Sequence, residues 1–101
     1  MEKILTNLPE SYQKDIYRAI EILKANGAKD IYIFGSIVNS KFNENSDIDI
    51  AVKGLEANKF YKVASILMFE LENDIDLIDL DDNENRFSQM ILETGGLLKV
   101  G

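Results

Sequence analysis

The sequence contains no cysteine and no histidine. The first absence excludes a disulfide framework, a thiolate nucleophile and a zinc–thiolate centre, and the second removes the commonest metal ligand and general base. Any catalysis must therefore rest on carboxylates. No run of lysine or arginine is long enough to form a cationic stripe, and the net charge is −7, from 18 acidic against 11 basic residues. Binding to a phosphate backbone depends on clustered positive charge, so nucleic acid is not expected as a direct partner; a basic protein surface, or cations themselves, would suit the chain better. No apolar run approaches the ~20 residues of a membrane span, and the polar residues that follow Met1-Glu2-Lys3-Ile4-Leu5 leave no signal-peptide core. The expectation is a soluble, cytoplasmic protein.

What is present is ordinary globular usage: 101 residues, 46% hydrophobic and 29% charged. That is enough for one compact core, and a single domain over 1–101 is expected. From Pro9 to Asn26, Tyr12, Ile16, Ala19, Ile20 and Leu23 recur at helical spacing, with Pro9 suited to a first turn and Gly27 to a C-terminal cap. Ile31 to Phe34 reads as a short buried strand that Gly35 ends, followed by a short helix or turn over Ser36 to Lys41. A polar stretch, Phe42 to Ser46, leads into the run Asp47-Ile48-Asp49-Ile50-Ala51-Val52, which Gly54 closes.

Side chains two apart on a strand share a face, so Asp47 and Asp49 point one way while Ile48 and Ile50 enter the core. Lys59 to Glu72 carries Phe60, Val63, Ala64, Leu67 and Leu71 at helical spacing. Asp74 to Leu80 then alternates again, placing Ile75, Leu77 and, as a further candidate, Leu80 toward the core, with Asp74 and Asp76 on the other face. A last helix is expected over Asn83 to Glu93, ending near Gly95-Gly96, and Leu97 and Leu98 suit either an edge strand or a partner-binding tail. Helices alternating with strands favour a central sheet covered by helices, an α/β (α+β) class; strand order and direction stay open.

Three features bear on chemistry. Gly35-Ser36 stands where a buried strand passes into a turn. There, backbone N–H groups and a hydroxyl can converge on a phosphate, because glycine offers no Cβ obstruction; a plain strand-ending turn is the alternative. Asp47 and Asp49 set two carboxylates on one strand face, where they either bridge hard divalent ions or form a solvated acidic face. Two like charges side by side repel unless water or a cation separates them. Asp76 adds a third carboxylate on another strand, as a metal ligand, a general base or both, or else as part of an acidic edge beside Asp74, Asp79, Asp81 and Asp82. The four tyrosines, Tyr12, Tyr17, Tyr32 and Tyr61, are scattered, which favours packing over a base-stacking platform.

Taken jointly, Gly35-Ser36, a ten-residue spacer and Asp47-Ile48-Asp49 form a pattern that four independent positions, each at a background of about 5 to 7%, produce by chance on the order of once per 100,000 starts. It resembles the signature of the minimal nucleotidyltransferases of the DNA polymerase beta superfamily, in particular the antitoxin members paired with HEPN-domain toxins. The resemblance runs from Ile31 to the final glycine-containing segment, with Asp76 in Ile75-Asp76-Leu77 matching the third carboxylate strand. It implies a polymerase-beta-like fold, a mixed sheet flanked by helices with all three carboxylates on it. The implied site holds two magnesium ions at Asp47, Asp49 and Asp76, and a nucleoside triphosphate at Gly35, Ser36 and Lys41. The implied reaction moves AMP from ATP to a hydroxyl of a HEPN-type toxin partner and releases pyrophosphate, within a homo- or hetero-oligomer.

One position departs from that pattern. Relatives often carry an Arg-Gly pair shortly after Gly-Ser, whereas this chain has Asn39-Ser40. Asparagine cannot clamp phosphate oxygens in the bidentate way of a guanidinium, and Lys41 would substitute only as a point charge. The departure motivates a second expectation: an antitoxin subunit that masks its partner by contact alone, using apolar residues such as Leu97 and Leu98.

Overall fold

The first helix, α1, spans Glu10–Ala25 in the computed structural model, which describes residues 8–35, 47–81 and 97–101. Pro9 sits at the cap itself, just outside the first turn, and its carbonyl accepts from the N–H groups of Tyr12 and Gln13 at 3.0 and 3.2 Å. Its missing N–H costs nothing at a position where the helix has no partner to offer. The helix ends at Asn26, whose side-chain amide donates to the Ile22 carbonyl at 2.8 Å. Gly27, at φ +98°, then turns the chain away in a conformation that glycine adopts without a Cβ clash. The buried stripe holds Tyr12, Ile16, Ala19 and Leu23 as the spacing predicts; it also holds Ile22 and, unexpectedly, Asp15.

Four strands follow among the described residues. β1 is Asp30–Phe34 and β2 is Ile48–Lys53. A second helix, α2, covers Ala57–Glu70 and returns the chain to β3, Ile75–Asp79. β4 is the pair Leu98–Lys99. The sheet has the order β3-β2-β1-β4. β1 runs antiparallel to both β2 and β4, while β2 and β3 are parallel, as a crossover through a helix requires. The sheet is therefore mixed, and Leu98 lies on an edge strand, the first of the two roles open to it. The segments predicted as a short helix or turn over Ser36 to Lys41 and a last helix over Asn83 to Glu93 lie outside the described residues.

The two sheet faces are unlike. Ile31 and Ile33 of β1 and Ile48, Ile50 and Val52 of β2 point toward the helices, packing with Ile16 and Leu23 of α1 and Val63 and Leu67 of α2, all nearly inaccessible to water. Burying each such side chain is worth about 1.5–3 kcal/mol, so this face supplies most of the driving force. Ile75 and Leu77 pack against the same core, partly buried. The opposite face holds a smaller cluster of Phe34, Ala51, Ile78 and Leu80, with Tyr32 and Leu97 against it. Leu80 thus does not join Ile75 and Leu77: with a side-chain period of two, an even-numbered residue on this strand belongs with Asp76 and Ile78. Its N–H donates to the Val52 carbonyl at 2.9 Å, continuing the ladder one residue beyond β3.

Candidate active site

The smaller-cluster face carries the acidic residues. In the register of the sheet, Asp49 stands opposite Phe34 on one side and opposite Asp76 on the other. Gly35 follows Phe34 directly, so the end of β1 lies beside the Asp49 side chain. β2 begins at Ile48, one residue later than the alternation predicts. Asp47 therefore precedes the strand, while the Ile48 N–H donates to the Asp74 carbonyl at 2.9 Å and ties the starts of β2 and β3 together. Gly35, Asp47, Asp49 and Asp76 are in this way brought to one end of the sheet. Ser36, Lys41 and Asn39 lie outside the described residues.

Gly35 has two reasons to be glycine. Its φ is +75°, a left-handed conformation that side chains with a Cβ rarely adopt. A Cβ built on it would also fall on Oδ2 of Asp49. The sequence suggests glycine here for close approach of a phosphate; the structure shows that its bare Cα also makes room for the central carboxylate.

Asp47 and Asp76 are exposed and Asp49 is half-buried. Burial, reinforced by the negative charges of Asp76 and then Asp47, pushes the Asp49 carboxyl up to about 6. Among the described residues no ion pair compensates this charge, which is the condition a bound cation relieves. Among the described residues, no three acidic side chains are already gathered around one point as a finished ion cage would have them. Mutual repulsion accounts for that spread, since carboxylates close together need a cation between them. The donors are all hard oxygens, with no cysteine thiolate or imidazole in the chain, a set that suits magnesium or a similar divalent ion.

One residue escaped the sequence reading. Asp15 of α1 is 4% exposed, and its carboxylate accepts from the Glu72 N–H at 3.1 Å, the Asn73 N–H at 2.8 Å and the Asn73 side-chain amide at 2.9 Å. It fastens α1 to the turn that leads into β3. Its signal was available: Asp15 lies three residues after Tyr12 and one before Ile16, on the stripe that the apolar spacing marks as buried.

Residues 18–100 match the family described as Polymerase beta, Nucleotidyltransferase. The chain belongs to this family. Nucleotidyltransferases of this kind use a nucleoside triphosphate and a divalent metal, in keeping with the oxygen-only donor set at the sheet end. Among curated proteins, the chain is 34% identical over 83 residues to protein adenylyltransferase MntA of Shewanella oneidensis, an alignment covering 77% of this chain and 60% of MntA. The nucleotidyltransferase chain therefore spans well under two thirds of that relative's length. A crystal structure of a toxin–antitoxin with AMP-PNP is similar at a TM-score of 0.64 and 28% identity, over 90% of this chain and 72% of that one. A structure of the tri-AMPylated Shewanella oneidensis HEPN toxin in complex with MNT antitoxin is similar at a TM-score of 0.59 and 26% identity, over 86% of this chain and 69% of that one. Among the described residues, no helix of this nucleotidyltransferase is long and apolar enough to cross a membrane.

Proposed function

We propose that this single-domain chain is the cytoplasmic antitoxin of a HEPN/MNT pair, and that it transfers AMP from ATP to a hydroxyl of its HEPN-type partner with release of pyrophosphate. The observation that carries this is the pairing of Asp49 with Asp76 across two parallel strands, beside a glycine whose missing Cβ the Asp49 carboxylate requires. The similarity to MntA and to the AMPylated toxin complex supports the choice of nucleotide and partner.

Asp47, Asp49 and Asp76 would hold two magnesium ions, which supply charge neutralisation on the triphosphate and a lowered hydroxyl pKa. The acceptor oxygen forms a bond to the α-phosphorus as the bond from that phosphorus to the bridging oxygen of the β-phosphate breaks. Pyrophosphate departs with the bonding electron pair. Asp76, the exposed member of the register pair, accepts the hydroxyl proton as the nucleophile develops. Gly35 and Ser36 bind the triphosphate through backbone and hydroxyl groups, with Lys41 as a point charge. Partner binding would place the acceptor at this site, at a contact between subunits.

The test is incubation of the purified chain, with and without the product of the adjacent gene, with each α-labelled triphosphate and magnesium, followed by intact mass of both proteins. A gain of AMP on the partner that disappears in Asp49→Asn supports the transferase. Asn39, in place of the arginine common in relatives, favours a second outcome: a stable, magnesium-independent complex with no label, which would establish neutralisation by binding alone.

A further inference from the structure

Beside the carboxylates lies an open depression of about 380 Å³ lined by Asp47, Met68, Leu71, Glu72, Asn73, Asp74 and Ile75. Its apolar lining comes from Met68, Leu71 and Ile75, and its charged lining is entirely acidic. None of Asp47, Glu72 or Asp74 has an ion-pair partner among the described residues. The helix that borders it carries the most exposed large apolar side chains among the described residues: Phe69 at 91%, Tyr61 at 80% and Met68 at 76%. Aromatic and methionine side chains are the ones that interface cores favour.

We infer that the face formed by Met68, Phe69 and the acidic depression of Glu72, Asp74 and Asp47 is the docking surface for the acceptor protein, and that the docked segment carries lysine or arginine next to an apolar anchor. The protein acceptor is taken from the function proposed above; the surface and the chemistry of the segment go beyond it. Three arguments select this occupant. Asp47 belongs both to the depression and to the carboxylate end of the sheet, so a chain lying there is adjacent to the reacting centre. A second copy of this chain brings a further net charge of −7, and like charges facing each other across an interface are repelled. A nucleic acid or the triphosphate itself meets the same repulsion, whereas a cationic segment gains both charge pairing with Glu72 and Asp74 and apolar cover from Met68 and Phe69.

The experiment compares the full-length chain with Phe69→Ser and Glu72→Lys, using the purified product of the adjacent gene as probe. It measures the Kd of the complex by calorimetry at two salt concentrations, and separately the affinity for magnesium-ATP. Both variants are expected to weaken the complex at least tenfold; Phe69→Ser is expected to leave magnesium-ATP binding unchanged, and Glu72→Lys to remove part of the salt dependence. Complexes as tight as that of the unsubstituted chain overturn the surface, as does failure of the unsubstituted chain to bind the probe. If the unsubstituted chain binds the probe but transfers no AMP while both variants bind weakly, the docking surface stands and the transfer function falls.

Discussion

The two faces of the sheet solve opposite problems with alternate residues of the same strands. The helix-covered face holds a continuous layer of Ile31, Ile33, Ile48, Ile50 and Val52, all buried. The other face interrupts a small apolar cluster, Phe34, Ala51, Ile78 and Leu80, with Asp49 and Asp76 paired in register. One face stabilises the fold, and the other holds like charges that oppose it. The comparison teaches that the larger apolar face offsets the like charges on the other; the candidate site occupies the side of the sheet with the smaller buried cluster.

The largest effect that could break this division is on the apolar face. Ile50→Ala is expected to lower unfolding stability by about 2–5 kcal/mol, read by urea denaturation, and Ile78→Ala by clearly less, because its cluster is smaller. Equal losses would mean that the second face is as much a core as the first. Next comes Asp49→Asn, expected to reduce AMP transfer at least ~100-fold, the scale set by removing one charged or donor group from a reacting centre. The same substitution should leave the metal-free protein no less stable, since it removes a carboxylate that burial and Asp76 disfavour; a markedly lowered Tm would show that Asp49 is structural.

Gly35→Ala is a smaller and more local probe. A positive φ in a residue with a Cβ costs on the order of 1–3 kcal/mol, and the added carbon displaces the Asp49 carboxylate, so stability and transfer should fall together. Transfer at the unsubstituted rate would count against the cradle. The mildest effect is that of pH. The Asp49 carboxyl titrates at about 6 in the folded chain, against roughly 3.9 when unfolded, so the folded state holds the extra proton. The stability this contributes is complete below about pH 4 and is lost as pH rises through about 6. Without metal, the Tm of the unsubstituted chain relative to Asp49→Asn should therefore decline over that window. Magnesium should reverse the trend above it, because the cation binds the ionised carboxylate. A flat difference would remove the coupling among Asp47, Asp49 and Asp76.

Much of this division is legible in the sequence. Alternation of aspartate with isoleucine marks both acidic strands and assigns Ile48, Ile50, Ile75 and Leu77 to the helix-facing side, because a period of two leaves little freedom once one face is buried; Leu80, also a candidate for that side, lies on the other. Three things are not legible. The pairing of Asp49 with Asp76 depends on strand direction and register, which the isoleucines do not encode. The use of Gly35 to make room for Asp49 involves residues that are distant in the chain. Asp15 escapes because a search for apolar spacing passes over a carboxylate even where it sits on the buried stripe, and its three N–H donors come from a turn far along the sequence.

The parallel pairing of β2 with β3 has a kinetic side. Its two strands are separated by all of α2, so the pairing closes a long loop and is slow relative to formation of either helix. The antiparallel pairing of β1 with β2 places Gly35 beside Asp49 but leaves Asp76 elsewhere, so a refolding chain can acquire helical signal and a partial core before it acquires a site. Recovery of the paired carboxylates thus reports completion of this crossover, and a chain that has formed only its helices and the β1–β2 hairpin pairing lacks the candidate site.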